Sequence, residues 1–209
     1  MKIYLVRHGE TDWNKERKIQ GQVDIPLNAF GIHLAEETAK GLRDIPFDIC
    51  FSSPLGRAKD TARIILDGRD VPIVEDLRIQ EMGFAQYEGR CCSPQNWDVP
   101  DSFRDFFEHP ERFVPAVGGE DFADMKERTG EFLSWLFAQK QYEDSHILVT
   151  THGAALAGLL NNIKGEPLQQ YWGIGVHKNC GVTEVEVTDG IPRILSENRV
   201  YYKDQVKDW

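Results

Sequence analysis

The chain of 209 residues has only four cysteines, Cys50, Cys91, Cys92 and Cys180, and no C-x-x-C pair. It therefore offers no disulfide framework, and the set reads as reduced thiols of a cytoplasmic protein. Long apolar runs are also missing. The opening Ile3 to Val6 is far too short for the apolar region of a secretory signal. The longest later run, Ala154 to Leu160, is interrupted by Gly158 and falls well below the ~18 residues of a spanning helix. No membrane passage is expected. Cations are scarce, with Lys+Arg 24 against Asp+Glu 34 and a net charge of −10, which argues against a nucleic-acid partner. Repeats, low-complexity tracts and linkers are absent, as is a clustered metal-ligand pattern such as H-E-x-x-H. Gly173-x-Gly175 follows no clear strand and lacks a third glycine in register, so it is not a dinucleotide loop.

What remains is ordinary globular composition, 41% hydrophobic and 28% charged, in a chain long enough to bury about 70% of its unfolded surface without staples. One domain over 1–209 is expected. Short apolar runs alternate with helical periodicity, which predicts an α/β layer fold. Strands are expected at Ile3 to Val6, Ile49 to Phe51, Ile147 to Thr150 and Val182 to Val187, with weaker signals at Val71 to Val74 and Ile194-Leu195. Helices are expected from Ala29 to Leu42 behind an Asn28 cap, from Pro54 to Leu66 behind Ser53, and from Phe122 to Ala138. Residues 90–119 break the pattern with four prolines, many acids and Trp97, Phe103, Phe106, Phe107 and Phe113. They read as an inserted flap with one short helix, whose aromatics either line a substrate mouth or pack the flap on the body.

Two segments share a shape, an apolar strand running straight into His-Gly: Leu5-Val6-Arg7-His8-Gly9 and Val149-Thr150-Thr151-His152-Gly153. Ligands of open α/β sheets bind beyond the carboxyl ends of parallel strands, so adjacent strands would bring His8 and His152 to one edge. Gly9 and Gly153 would let backbone approach a ligand, and the amides opening the run after His152 would face an anion. Arg57 falls in the first turn of its helix, where a cation opposes the dipole by ~0.3–1 kcal/mol, and this points to an offsetting anion. Arg7, His8, Arg57 and His152 together predict a positive pocket fit for a phosphoryl group. His33, His109, His146 and His177 are expected at the surface or at caps.

The string Arg7-His8-Gly9-Glu10-Thr11-Asp12-Trp13-Asn14 resembles the R-H-G-E-[ST]-x-W-N signature of the histidine phosphatase superfamily, in its phosphoglycerate-mutase-like branch. Ser52-Ser53-Pro54-Leu55-Gly56-Arg57, Glu81 to Gly89, Gly118-Gly119-Glu120-Asp121 and Thr151-His152-Gly153 follow in that branch's order. The resemblance, which extends to small-molecule phosphatases of the alpha-ribazole phosphatase type, implies a three-layer sandwich with a mostly parallel sheet. It implies His8 as nucleophile, with its other ring nitrogen donating to a backbone carbonyl. Arg7, Arg57 and His152 would hold phosphoryl oxygens, and Asn14, Gln20, Gly21 and Gly153 would bind substrate. Glu81 would be the acid and base, its pKa raised by nearby phosphate. No metal or cofactor is implied. The partner is a small phosphomonoester; monomer and homodimer stay open. Ala85, Tyr87 and Gly181 depart from the usual Gly, Trp and small polar residue, which touches substrate preference more than chemistry.

Three functions compete. A phosphatase through phosphohistidine leads, because only 28 residues, 90–117, part Gly89 from Gly118, whereas the mutases of this branch carry a longer insertion. A cofactor-dependent phosphoglycerate mutase and a silent phospho-ligand sensor follow. The acidic flap favours a monophosphate of a neutral or cationic organic group.

Overall fold

The computed structural model describes residues 1–206. Strand β1 (Lys2–Arg7) is followed by a short helix α1 (Asp12–Lys15) and helix α2 (Ala29–Gly41), then β2 (Ile49–Ser52), α3 (Gly56–Leu66) and β3 (Ile73–Glu75). Next come α4 (Asp105–Glu108), α5 (Phe122–Phe137), β4 (His146–Thr151), α6 (Gly153–Lys164), and the pair β5 (Val182–Thr188) and β6 (Ile191–Arg199). The six strands form one sheet in the order β3-β2-β4-β1-β5-β6. The first four are parallel and the last two antiparallel.

Alternation along the central strands explains the layers. Ile3 and Leu5 of β1, Ile49 and Phe51 of β2, and Ile147 and Val149 of β4 meet Phe132 of α5 and Leu156 of α6 on one face. Tyr4, Val6, Cys50 and Leu148 point the other way, towards Ala62 and Ile65 of α3. Central strands buried on both faces need continuous apolar runs, which is why these three read so clearly as strands. Each large side chain so buried contributes about 1.5–3 kcal/mol.

The helix ends follow local chemistry. Asn28 Oδ1 accepts from Gly31 N at 2.8 Å and caps α2 as expected. Asp121 and Asp124 form a capping box at the start of α5. Helix α3, in contrast, begins at Gly56 rather than Pro54, and Ser53 does not cap it. Its first amide, Gly56 N, instead donates to both carboxylate oxygens of Asp24 at 2.9 Å. Strand β6 is longer than expected because it closes a hairpin with β5 through Asp189-Gly190, both at positive φ.

Residues 91–119 carry a 3-10 turn at Asp101–Arg104 running into α4. Phe103, Phe106 and Phe113 are buried with Phe84, Phe122 and Tyr171 in a cluster of their own. No helix among the described residues is long and apolar enough to cross a membrane.

Candidate active site

The register of the sheet builds the site. Strands β1 and β4 run parallel with Arg7 opposite Thr151, so the residues just past them, His8 and His152, leave the sheet side by side. Their rings lie 5.1 Å apart, and His8 N donates to Thr151 O at 2.9 Å. The His8 imidazole is buried and its Nδ1 lies 2.7 Å from Gly9 O. Nδ1 must carry the proton to donate there, which leaves a lone pair on Nε2. Burial, joined by the charges of Arg57 and Arg7, keeps the His8 ring neutral far below the usual histidine range.

Arg7 is buried beside it. Its Nη1 donates to His177 O at 2.5 Å, while its buried Nε has no protein acceptor. Burial lowers its pKa to about 10, still high enough to keep the charge. Glu81 arrives from the loop after β3. Its Oε1 accepts from Met82 N and Ala155 N, and its Oε2 from Ala154 N, at 2.9–3.1 Å. The group that takes the amides at the start of α6 is therefore this carboxyl of the chain. Burial pushes the Glu81 pKa up, and the three amides and Arg57 only moderate it. The predicted direction stands, but its main cause is desolvation by the protein.

Arg57 and His152 are fully buried and turned towards each other, with Arg57 Nε 3.2 Å from His152 Nδ1. His152 Nε2 donates to Ser53 Oγ at 2.7 Å. The Arg57 fork donates to Gly21 O at 2.7 Å and Val23 O at 3.0 Å. The offsetting charge sought for Arg57 lies within the chain, in the carboxylates of Asp24 and Glu88. Gln20 joins Thr11 Oγ1 to Arg57 Nε, with its amide nitrogen and oxygen at 2.5 and 2.8 Å respectively.

A pocket opens over these groups. Arg7, His8, Asn14, Gln20, Glu81 and Gly153 border it. Arg57, His152 and Gly21 do not; Arg57 joins His152 to the Gly21 carbonyl, and the His152 ring lies beside that of His8. The Oδ1 of Asn14 is taken up in a capping box with Thr11, which leaves its NH₂ group as the part of the amide open to a ligand. Gly153 has Val176, Glu81 and Arg7 around the place of a side chain, at 3.3–3.8 Å. At Gly21 a Cβ would lie 2.2 Å from Glu88 Oε1, so no side chain fits.

Several supporting residues escaped sequence reasoning. Glu88 holds the loop beneath Arg57, accepting from Gln22 N, Val23 N and Phe84 N at 2.7–3.1 Å. Arg128 pairs with Glu120 and donates to the carbonyls of Arg78, Gln80 and Glu81, which fixes the Glu81 loop. Asn179 Nδ2 donates to His8 O at 2.9 Å. His177 is not at the surface as expected. It is buried against Thr183, its pKa drops to about 4 through burial, and its carbonyl anchors Arg7. Glu88 and Glu120 lie inside the quoted motifs; nothing in the sequence marks Arg128, Asn179 or His177.

The departures have local reasons or costs. Ala85 sits at φ 48°, a left-handed conformation that glycine adopts without penalty. Tyr87 packs edge-on against Phe103 at 5.5 Å. At Gly181 a Cβ would come within 2.3 Å of Asn198 Oδ1.

Residues 3–200 match the family described as histidine phosphatase superfamily (branch 1). The chain is 37% identical over 164 residues to the uncharacterized phosphatase PhoE of Bacillus subtilis, covering 78% of this chain and 77% of that protein. It is 32% identical over 186 residues to the probable phosphoglycerate mutase GpmB of an Enterobacter species, covering 89% and 85%. Among solved structures, YhfR of Bacillus stearothermophilus superposes with a TM-score of 0.87 at 33% identity, covering 95% and 97% of the two chains.

Proposed function

The chain belongs to the histidine phosphatase superfamily (branch 1) and is an enzyme of the phosphatase type, and on that premise we propose that it hydrolyses small phosphomonoesters through a phosphohistidine on His8. The observation that carries the reading is the Nδ1 contact of His8 to Gly9 O. It leaves Nε2 unprotonated at the floor of a pocket that Glu81, a carboxyl whose pKa burial pushes up, also borders. The nucleophile and the acid thus have environments that push them to opposite protonation states.

In the first step the Nε2 lone pair attacks phosphorus in line. The P–O bond to the alcohol breaks, and the leaving oxygen takes the proton of Glu81. In the second step Glu81, now ionised, removes a proton from water as that water attacks phosphorus. The P–N bond breaks, its electron pair returns to Nε2, and inorganic phosphate leaves with Glu81 protonated again. The unpaired N–H of Arg7 Nε is placed to take a phosphoryl oxygen, as is the Asn14 amide. Arg57 and His152 contribute to the same charge stabilisation. Their direct contact with phosphoryl oxygens requires the Arg57 fork to give up Gly21 O and Val23 O. On this reading the chain is one domain, and residues 90–119 are an insertion that walls the pocket.

The test is phosphate release from a panel of metabolite monophosphates by chelator-treated protein. His8→Ala is expected to lower release by about 10⁴-fold or more, the scale for loss of a nucleophile. Absence of release by the folded native protein would favour the second reading, a phosphoglycerate mutase like the GpmB relative, or a silent sensor. A mutase must hold a second anionic group on its substrate, and among the described residues Arg7 is the one Lys or Arg bordering this pocket.

A further inference from the structure

We infer, resting on the phosphatase reading, that the substrate's alcohol is apolar and ring-bearing and carries no second anionic group. The floor of the pocket is polar, but its walls are not. Ile19, Phe84, Phe103, Phe106, Phe107 and Trp172 face the same space. The first four are buried by the fold itself, between 2% and 6% exposed, so the wall is preformed.

The polar atoms that the wall does contain are already committed. Trp172 Nε1 donates to Phe106 O at 2.7 Å, and Cys92 Sγ lies 3.2 Å from Arg17 O. A hydroxyl or carboxylate on the alcohol would leave water and find no partner there, which disfavours it strongly for a charged group. Nor does the outer groove on the aromatic side supply a counter-charge. It shares Phe107 and Trp172 with the pocket and adds Lys164 together with Glu108 and Glu166, and Lys164 is paired with Glu197 at 2.9 Å. An aromatic ring against these walls is favoured by area and by edge-to-face contact.

The experiment compares 2-phenylethyl phosphate with ethyl phosphate, two alkyl esters whose leaving alcohols have similar acidity, together with 3-phosphoglycerate and phosphocholine. The phenylethyl ester is expected to exceed ethyl phosphate at least about 10-fold in kcat/KM, through KM. The 3-phosphoglycerate value is expected to fall below that of ethyl phosphate. Phe107→Arg places a cation at the half-buried edge of the wall, so it should narrow the gap between phenylethyl phosphate and 3-phosphoglycerate by about 10-fold. Preference for 3-phosphoglycerate in the native protein would overturn the inference. Preference for phosphocholine would overturn it too, because the rings would then be reading a cation. Calorimetric binding of 2-phenylethylphosphonate and ethylphosphonate separates this inference from its premise. Tighter phenylethyl binding without turnover of any ester would uphold the pocket's preference and sink the phosphatase reading. Equal binding would sink the preference, whether or not the esters turn over.

Discussion

On the floor of the pocket almost every polar atom has a named protein partner. His8 is held through Gly9 O, Thr151 O and Asn179, and Glu81 is held by three amides. The wall is held by rings. Phe103 alone packs on Phe84, Tyr87, Trp97, Phe106, Phe107 and Phe113 at centroid separations of 5.3–6.4 Å. Directional bonds fix single atoms to within fractions of an ångström, which proton and phosphoryl transfer demand. Packed rings fix a shape and a polarity, which suffices for choosing an alcohol. The two regions therefore answer differently to mutation: damage to the floor should appear in the chemistry, and damage to the wall in stability and preference.

The largest effect short of removing His8 is expected at Glu81. Glu81→Gln keeps the shape but cannot give a proton. It should lower kcat/KM on alkyl phosphates by about 10²–10⁴-fold. Aryl phosphates with good leaving groups should lose less, and equal losses on both would remove Glu81 from the acid role. The pH profile carries the sign. On the proposed mechanism activity needs His8 neutral and Glu81 protonated, so the rate should rise as pH climbs through the His8 transition, which burial has moved well below 6.5. It falls as Glu81 ionises, at a pH above the ordinary carboxyl value of 4.5. Both limbs are properties of the coupled site. The alkaline limb should vanish in Glu81→Gln.

Phe103→Ala probes the wall in the same terms. Removing a ring that is 2% exposed should destabilise the fold by about 3–5 kcal/mol, read as a lowered urea midpoint. KM for a phenylethyl ester should rise. The two pH limbs should stay where they are, because no ring of the wall bonds to His8 or Glu81. A shift of either limb would show that wall and floor are one cooperative unit, and the comparison would fail.

The same division explains what was legible in the sequence. A strand that ends in Arg-His-Gly or Thr-His-Gly declares its face and its exit point, so the juxtaposition of His8 and His152 follows once the strands are parallel. The hairpin through Asp189-Gly190 is less legible, because β6 is half-exposed along its length and only Ile194-Leu195 stands out in it. His177 is different. A histidine in a loop gives no local sign of burial, and only the pairing of β1 with β5 brings Arg7 to its carbonyl. Ser53 shows how a local signal is overridden. Ser-Pro ahead of an amphipathic run is a sound helix start, yet its hydroxyl has a stronger claim from His152 Nε2, 99 residues away. The helix then begins two residues later.

That delayed start gives the smallest and most specific test. Arg57 sits in the first turn of α3 against the dipole, and one of the anions that compensate is Asp24, whose two oxygens take the Gly56 amide 32 residues downstream. Asp24 does the work of an N-cap from another loop, and it brings that loop's Gly21 and Val23 carbonyls within reach of the Arg57 fork. Asp24→Ala should therefore cost about 1 kcal/mol, the usual effect of losing a cap, while Asp24→Asn, which retains an accepting oxygen, should cost less. Because the loop also positions Arg57 against His152, the alanine variant should lower kcat modestly as well as the melting temperature. A loss of stability with kcat untouched would show that Arg57 keeps its place without the loop, and that the floor is more autonomous than its hydrogen bonds imply.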